Sequence, residues 1–108
     1  MDVSISDKRL RKVANDPAAC KREYGVNMLR LAALYAADSL ADFWPPNSGP
    51  ERCHELKGER KGTFSVDLNQ PYRLLFQPSD APAGVAEEQQ RWMSITEIDI
   101  VAIEDTHG

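Results

Sequence analysis

"TFSVDLNQPYRLLFQ" (63–77) is the segment from which the architecture follows. Phe64, Val66 and Leu68 occupy one parity of its first half and Thr63, Ser65 and Asp67 the other, the period of a strand with one buried face. Asn69, Gln70 and Pro71 supply turn chemistry, the proline by restricting φ. Alternation then resumes, with Tyr72, Leu74 and Phe76 against Arg73, Leu75 and Gln77. Two such runs across so short a turn predict an antiparallel hairpin over 63–68 and 72–77. Arg73 then stands on the face opposite the core, either solvated or aimed into a concave site.

Upstream the period is helical. "FWPPNSGPER" (43–52), with three prolines and a glycine, reads as a surface connection. Before it, Met28, Leu31, Ala32 and Tyr35 recur as a core-facing stripe, while Leu29, Ala33, Ala36 and Ala37 make the reverse face apolar too. Asp16, Pro17 and Gly25 bracket an earlier helical start and stop, so residues 16–38 form one kinked helix or two. "VSIS" (3–6) has the period of a short strand. Asp7 is suited to cap a following helix with Leu10, Val13 and Ala14 on one face. Lys8, Arg9, Arg11 and Lys12 cover the other face, as a solvated surface or one for an acidic partner.

Downstream, "PSDAPAGVAEEQQR" (78–91) reads as a long polar loop and "WMSITEIDIVAI" (92–103) as a last strand, central enough to be apolar on both parities. The expected fold is α+β: N-terminal helices packed on one face of a small antiparallel sheet with strands at 63–68, 72–77 and 94–103. The 108 residues suffice for a single domain, 1–108. No apolar run approaches the ~20 residues that cross a bilayer, and the N-terminus lacks an apolar signal segment. A cytoplasmic protein without membrane contact is expected, with Cys20 and Cys53 as free thiols.

Charge is unevenly distributed. Against a formal net charge of −4, residues 1–77 carry 12 cations and 10 acids, and residues 78–108 one cation and seven acids. The basic portion is free to meet a polyanion. Its densest stretch is "CHELKGERKG" (53–62), where His54 lies beside Lys57, Arg60 and Lys61, as a solvated turn or a phosphate site. His54 and His107 form a pair able to exchange protons near neutrality, with Asp105 available to orient an imidazole. No metal site is expected: Cys53 and His54 are adjacent on a probable strand and face opposite ways, and no paired Cys-x-x-Cys or His-x-x-x-His supports them. Nor is there a glycine-rich phosphate loop, and no cofactor is called for.

"HELKGERKGTFSVDLNQPYRLLF" (54–76), followed by "IEDTH" (103–107), resembles the HigB branch of the RelE/ParE toxin superfamily. The shared pattern is His-x-Leu-Lys-Gly-acid-Arg-x-Gly, an aromatic-led strand, a turn, Tyr-Arg and an Asp-Tyr-His-like tail. The resemblance implies a type II toxin–antitoxin protein that cleaves mRNA on the translating ribosome without metal or cofactor. Its partners would be a helix-turn-helix antitoxin and ribosome-bound mRNA. The catalytic residues carried over are His54, Arg73, Asp105 and His107, with Lys57, Arg60 and Lys61 along the RNA backbone. Thr106 stands where the family usually has tyrosine, the 78–91 loop is long, and the overall acidity is atypical. Two other readings stay open: a ParE-like, non-enzymatic topoisomerase inhibitor, and a degenerate member that only binds its antitoxin.

Overall fold

A computed structural model describes residues 1–13, 18, 29–68, 72–79 and 87–105. Strand β1 (Asp2–Ile5) and helix α1 (Lys8–Val13) open the chain, followed by helix α2 (Leu29–Ala36) and a 3-10 turn (Leu40–Phe43). Then come β2 (His54–Glu55), a second 3-10 turn (Gly58–Arg60), β3 (Phe64–Asp67), β4 (Tyr72–Pro78), helix α3 (Glu88–Ser94) and β5 (Glu97–Asp105). The fold is α+β around one five-stranded sheet of order β1-β5-β4-β3-β2.

The β3–β4 hairpin has the expected parity. Phe64 pairs with Phe76 and Val66 with Leu74 on one face; Ser65 pairs with Leu75 and Asp67 with Arg73 on the other. The first face is the core, where Phe64, Val66, Leu74, Phe76, Ile98 and Ile100 meet Leu10, Leu34, Leu40 and Trp92. Phe64 and Phe76 stack at 5.7 Å, and Trp92 stands edge-on to both Phe64 and Trp44. Offset and edge-to-face contacts of this kind add to the apolar burial.

Four expectations need correction. The sheet is mixed, because β1 runs parallel to β5, with Val3 opposite Ile98 and Ile5 opposite Ile100. The partner of a four-residue strand is not written in its own residues, and a parallel pair needs a crossover, which the intervening chain supplies. The chain opens with the short strand read at 3–6, which joins the sheet, and the cover on the core face is not N-terminal helices alone: it comes from Leu10 of α1, Leu34 of α2, Leu40 of the first 3-10 turn, and Trp92 of α3. Among the described side chains of α2, Leu34 is buried while Tyr35 is 49% exposed; a helix apolar all round offers no unique stripe. Finally, residues 88–94 are helical rather than loop and strand. Trp92 and Ile95 are both fully buried, and a three-residue spacing brings them to one side only through a helical turn.

Local chemistry accounts for the rest. Asp7 caps α1 by accepting from the Leu10 N–H at 2.8 Å, as its position suggested. Arg91 of α3 pairs with Glu55 of β2 and lies 5.9 Å over the Phe64 ring, tying the helix to the sheet edge. Cys53 is a free, fully buried thiol. No helix among the described residues is long and apolar enough to cross a membrane. The 16–25 helix reading, Cys20, the 69–71 turn, residues 80–86 of the 78–91 segment, Thr106 and His107 lie outside the described residues.

The β4–β5 ladder contains an irregularity that decides which face Glu104 occupies. Leu75 pairs with Ala102 but Phe76 pairs with Ile100, leaving Val101 as an extra residue. The core parity of β5 therefore changes from Ile98 and Ile100 to Ile103, which lies opposite Leu74. A bulge re-aims every side chain beyond it. Glu104 is thereby turned to the face away from the core, directly opposite Arg73.

Candidate functional site

Directly paired residues on neighbouring strands share a face, as do residues two apart on one strand. His54 pairs with Ser65, Asp67 with Arg73, and Arg73 with Glu104. His54, Ser65, Asp67, Arg73 and Glu104 thus occupy one face, opposite the aromatic core. His54 and Arg73 are two strands and two residues apart, which puts their Cα atoms about 12 Å from each other. Ser65 and Leu75, between and beside them, are buried, so this part of the face is covered rather than solvated.

The His54 ring donates from Nδ1 to the Arg52 carbonyl at 2.8 Å. In the neutral ring this tautomer leaves Nε2 as the acceptor. Arg52 has a left-handed φ of 48° at the turn into β2 and forms an ion pair with Asp67 at 3.7 Å.

Arg73 donates to Glu104 Oε1 at 3.2 Å, and Arg60 donates to the same oxygen at 3.1 Å while also contacting Oε2. The hydrogen bond from Arg60, followed by that from Arg73, holds the Glu104 carboxyl below the usual carboxylate range. The same contact raises the Arg60 guanidinium. Arg73 Nε is buried and has no acceptor among the described residues, and the Ser65 hydroxyl is in the same position. Buried polar atoms are rarely left so.

The other two cations of the 53–62 segment go elsewhere. Lys57 and Lys61, with Glu55, Leu56, Gly58 and Glu88, line a cavity of about 360 Å³. The tight turn that presents them depends on Gly58 and Gly62, at φ of 72° and 95°, where a side chain is disfavoured. Gly62 N–H donates to Glu55 Oε2 at 2.9 Å, closing the turn onto β2.

Of the residues singled out from the sequence, His54 and Arg73 come to one face, Arg60 reaches it from the 3-10 turn, and Lys57 and Lys61 line the cavity. Asp105 has its backbone paired with Tyr72, and His107 lies outside the described residues. Glu104 and Ser65 were missed. Unbroken alternation from Ile98 and Ile100 assigns Glu104 to the core side, and only the bulge reverses that. Among the described residues, no group of three or more His, Cys, Asp or Glu side chains is placed to hold a metal ion.

No protein-family model matches the chain, and no curated protein matches it by sequence.

Proposed function

We propose that this chain is the toxin of a type II toxin–antitoxin pair and cleaves mRNA on the ribosome without a metal or cofactor. The observation that carries the reading is the common face of His54 and Arg73, with Ser65 and Asp67 between them. The strands bearing these residues, β2 to β4, are antiparallel to their neighbours, while β1 at the far edge runs parallel to β5.

The chemistry needs a base, an acid and a cation at phosphorus. The ribose 2′-OH attacks the adjacent phosphorus, and the P–O5′ bond breaks to leave a 2′,3′-cyclic phosphate and a 5′-OH. His54, with Nδ1 committed to the Arg52 carbonyl, has Nε2 to take the 2′-OH proton. The resemblance gives the proton transfer to the departing O5′ to the second histidine of the pair, His107, with Asp105 as the carboxylate of the same tail. Arg73 offsets the charge that gathers on the pentavalent phosphorus. Lys57, Arg60 and Lys61 follow the RNA backbone, and a helix-turn-helix antitoxin silences the toxin in the cytoplasm.

One observation favours a second reading. Arg60 and Arg73 are both engaged by Glu104, and with Thr106 in place of tyrosine this suits a member that binds its antitoxin without cutting. Induced expression in bacteria separates the possibilities. An active nuclease stops incorporation of labelled methionine before that of thymidine. A topoisomerase inhibitor reverses the order, and a binding-only member changes neither.

A further inference from the structure

We infer that Arg60 and Arg73 form a two-arginine phosphate seat that the chain's own Glu104 fills in the free protein. A phosphate group then enters by displacing the Glu104 carboxylate. That the phosphate belongs to RNA rests on the function proposed above; the seat itself rests on the geometry alone.

Two guanidinium groups from separate elements, the 58–60 turn and β4, converge on a single carboxylate. A carboxylate and a phosphate offer the guanidinium fork the same pair of acceptors, which is why arginine serves both. The three side chains carry two positive charges and one negative. Glu104 has two oxygens, and Arg60 uses both of them; among the described residues this leaves Arg73 one contact with the carboxylate, at 3.2 Å, and a buried Nε–H without an acceptor. A phosphate brings more oxygens to the same place.

Exposure separates this arrangement from a structural brace. Side-chain exposure runs 44%, 32% and 21% from Arg60 through Glu104 to Arg73, so the cluster opens to solvent at the Arg60 end. Ion pairs open to water are weak and readily exchanged. The occupant also arrives by way of the Val101 bulge, at a position that regular pairing would not turn toward Arg73.

The test is Glu104→Gln, which keeps the side-chain shape and removes its charge. Inorganic pyrophosphate is titrated into isotopically labelled protein, and the Nε–Hε signals of Arg60 and Arg73 are followed by NMR. The variant should bind about tenfold more tightly than wild type, within the usual range of coupling between competing ligands. Arg60→Gln added to Glu104→Gln should remove that gain. Equal or weaker binding by Glu104→Gln overturns the seat and makes Glu104 a brace. If Glu104→Gln fails to fold, wild type decides: pyrophosphate must move the Arg60 and Arg73 signals together, and movement confined to Lys57 and Lys61 overturns the inference.

A second arm uses a 2′-O-methyl oligoribonucleotide, which cannot be cleaved. Tightening for pyrophosphate but not for this oligonucleotide keeps the seat and rejects RNA as its ligand. Ribosomal mRNA cleavage by wild type without any tightening in Glu104→Gln keeps the nuclease and rejects the seat.

Discussion

Arg73 and Glu104 lie directly opposite each other on β4 and β5, with the guanidinium donating to Oε1 at 3.2 Å. They meet because one extra residue, Val101, changes the parity of β5 between Ile100 and Ile103. A single irregularity in the ladder thus brings Glu104 of β5 to the face that Arg73 and His54 already share.

This pairing has a pH signature. The Glu104 carboxyl is held below its ordinary value, chiefly by Arg60 and then by Arg73. The folded state therefore binds that proton less readily than the unfolded state. The resulting stability is present above the ordinary carboxylate range, about pH 4 to 5, and fades as pH falls through the lowered value. Because the cluster is open to water, the effect is small. Urea titrations at pH 7 and pH 3 should show a smaller acid-induced loss in Glu104→Gln than in wild type.

Cys53 should be inert in the native protein. Burial, with the Glu51 charge adding to it, pushes its thiol up to about 12, so almost no thiolate exists at pH 8. In a Cys20→Ser background, a thiol-specific chromophore should label Cys53 only after denaturant is added. Rapid labelling of the folded protein would contradict this.

Trp92 anchors α3 against Phe64 and Trp44 from a fully buried position. Trp92→Ala should lower stability by about 3–5 kcal/mol, a large share of what a domain of this size has. Thermal unfolding followed by circular dichroism reads the loss. A shift of only a few degrees would mean that α3 does not close the core.

Gly62 stands at a φ of 95° with nothing near the position a Cβ would take. Gly62→Ala therefore acts through backbone strain alone, by about 1–2 kcal/mol. It should also disturb the turn that carries Arg60, measurable as a change in the Arg60 Nε–Hε signal alongside the lower melting temperature.

The hairpin could be read from the chain because strict alternation and turn residues coincide over 63–77, and the face of Arg73 followed at once. The pairing of β1 could not, since strand partners are set by packing far away in sequence. α3 was hidden by residues that suit loop and strand equally: only the spacing of Trp92, Ile95 and Ile98 marks the helical turn before β5. The site was half legible. His54 and Arg73 are conspicuous by type and parity, whereas Glu104 emerges only once the bulge at Val101 is known. The division of the 53–62 cations, Arg60 toward Glu104 and the two lysines toward the cavity, depends on the Gly58 and Gly62 conformations rather than on spacing.

Primer extension on a reporter mRNA in a translating bacterial extract puts the nuclease proposal to its hardest test, comparing wild type with His54→Ala and Arg73→Ala. Wild type should produce discrete cleavages that require translation. His54→Ala should produce none, and Arg73→Ala should cut on the order of 10²-fold more slowly through lost charge stabilisation. Wild type and His54→Ala giving the same pattern, with both proteins folded, would contradict the account.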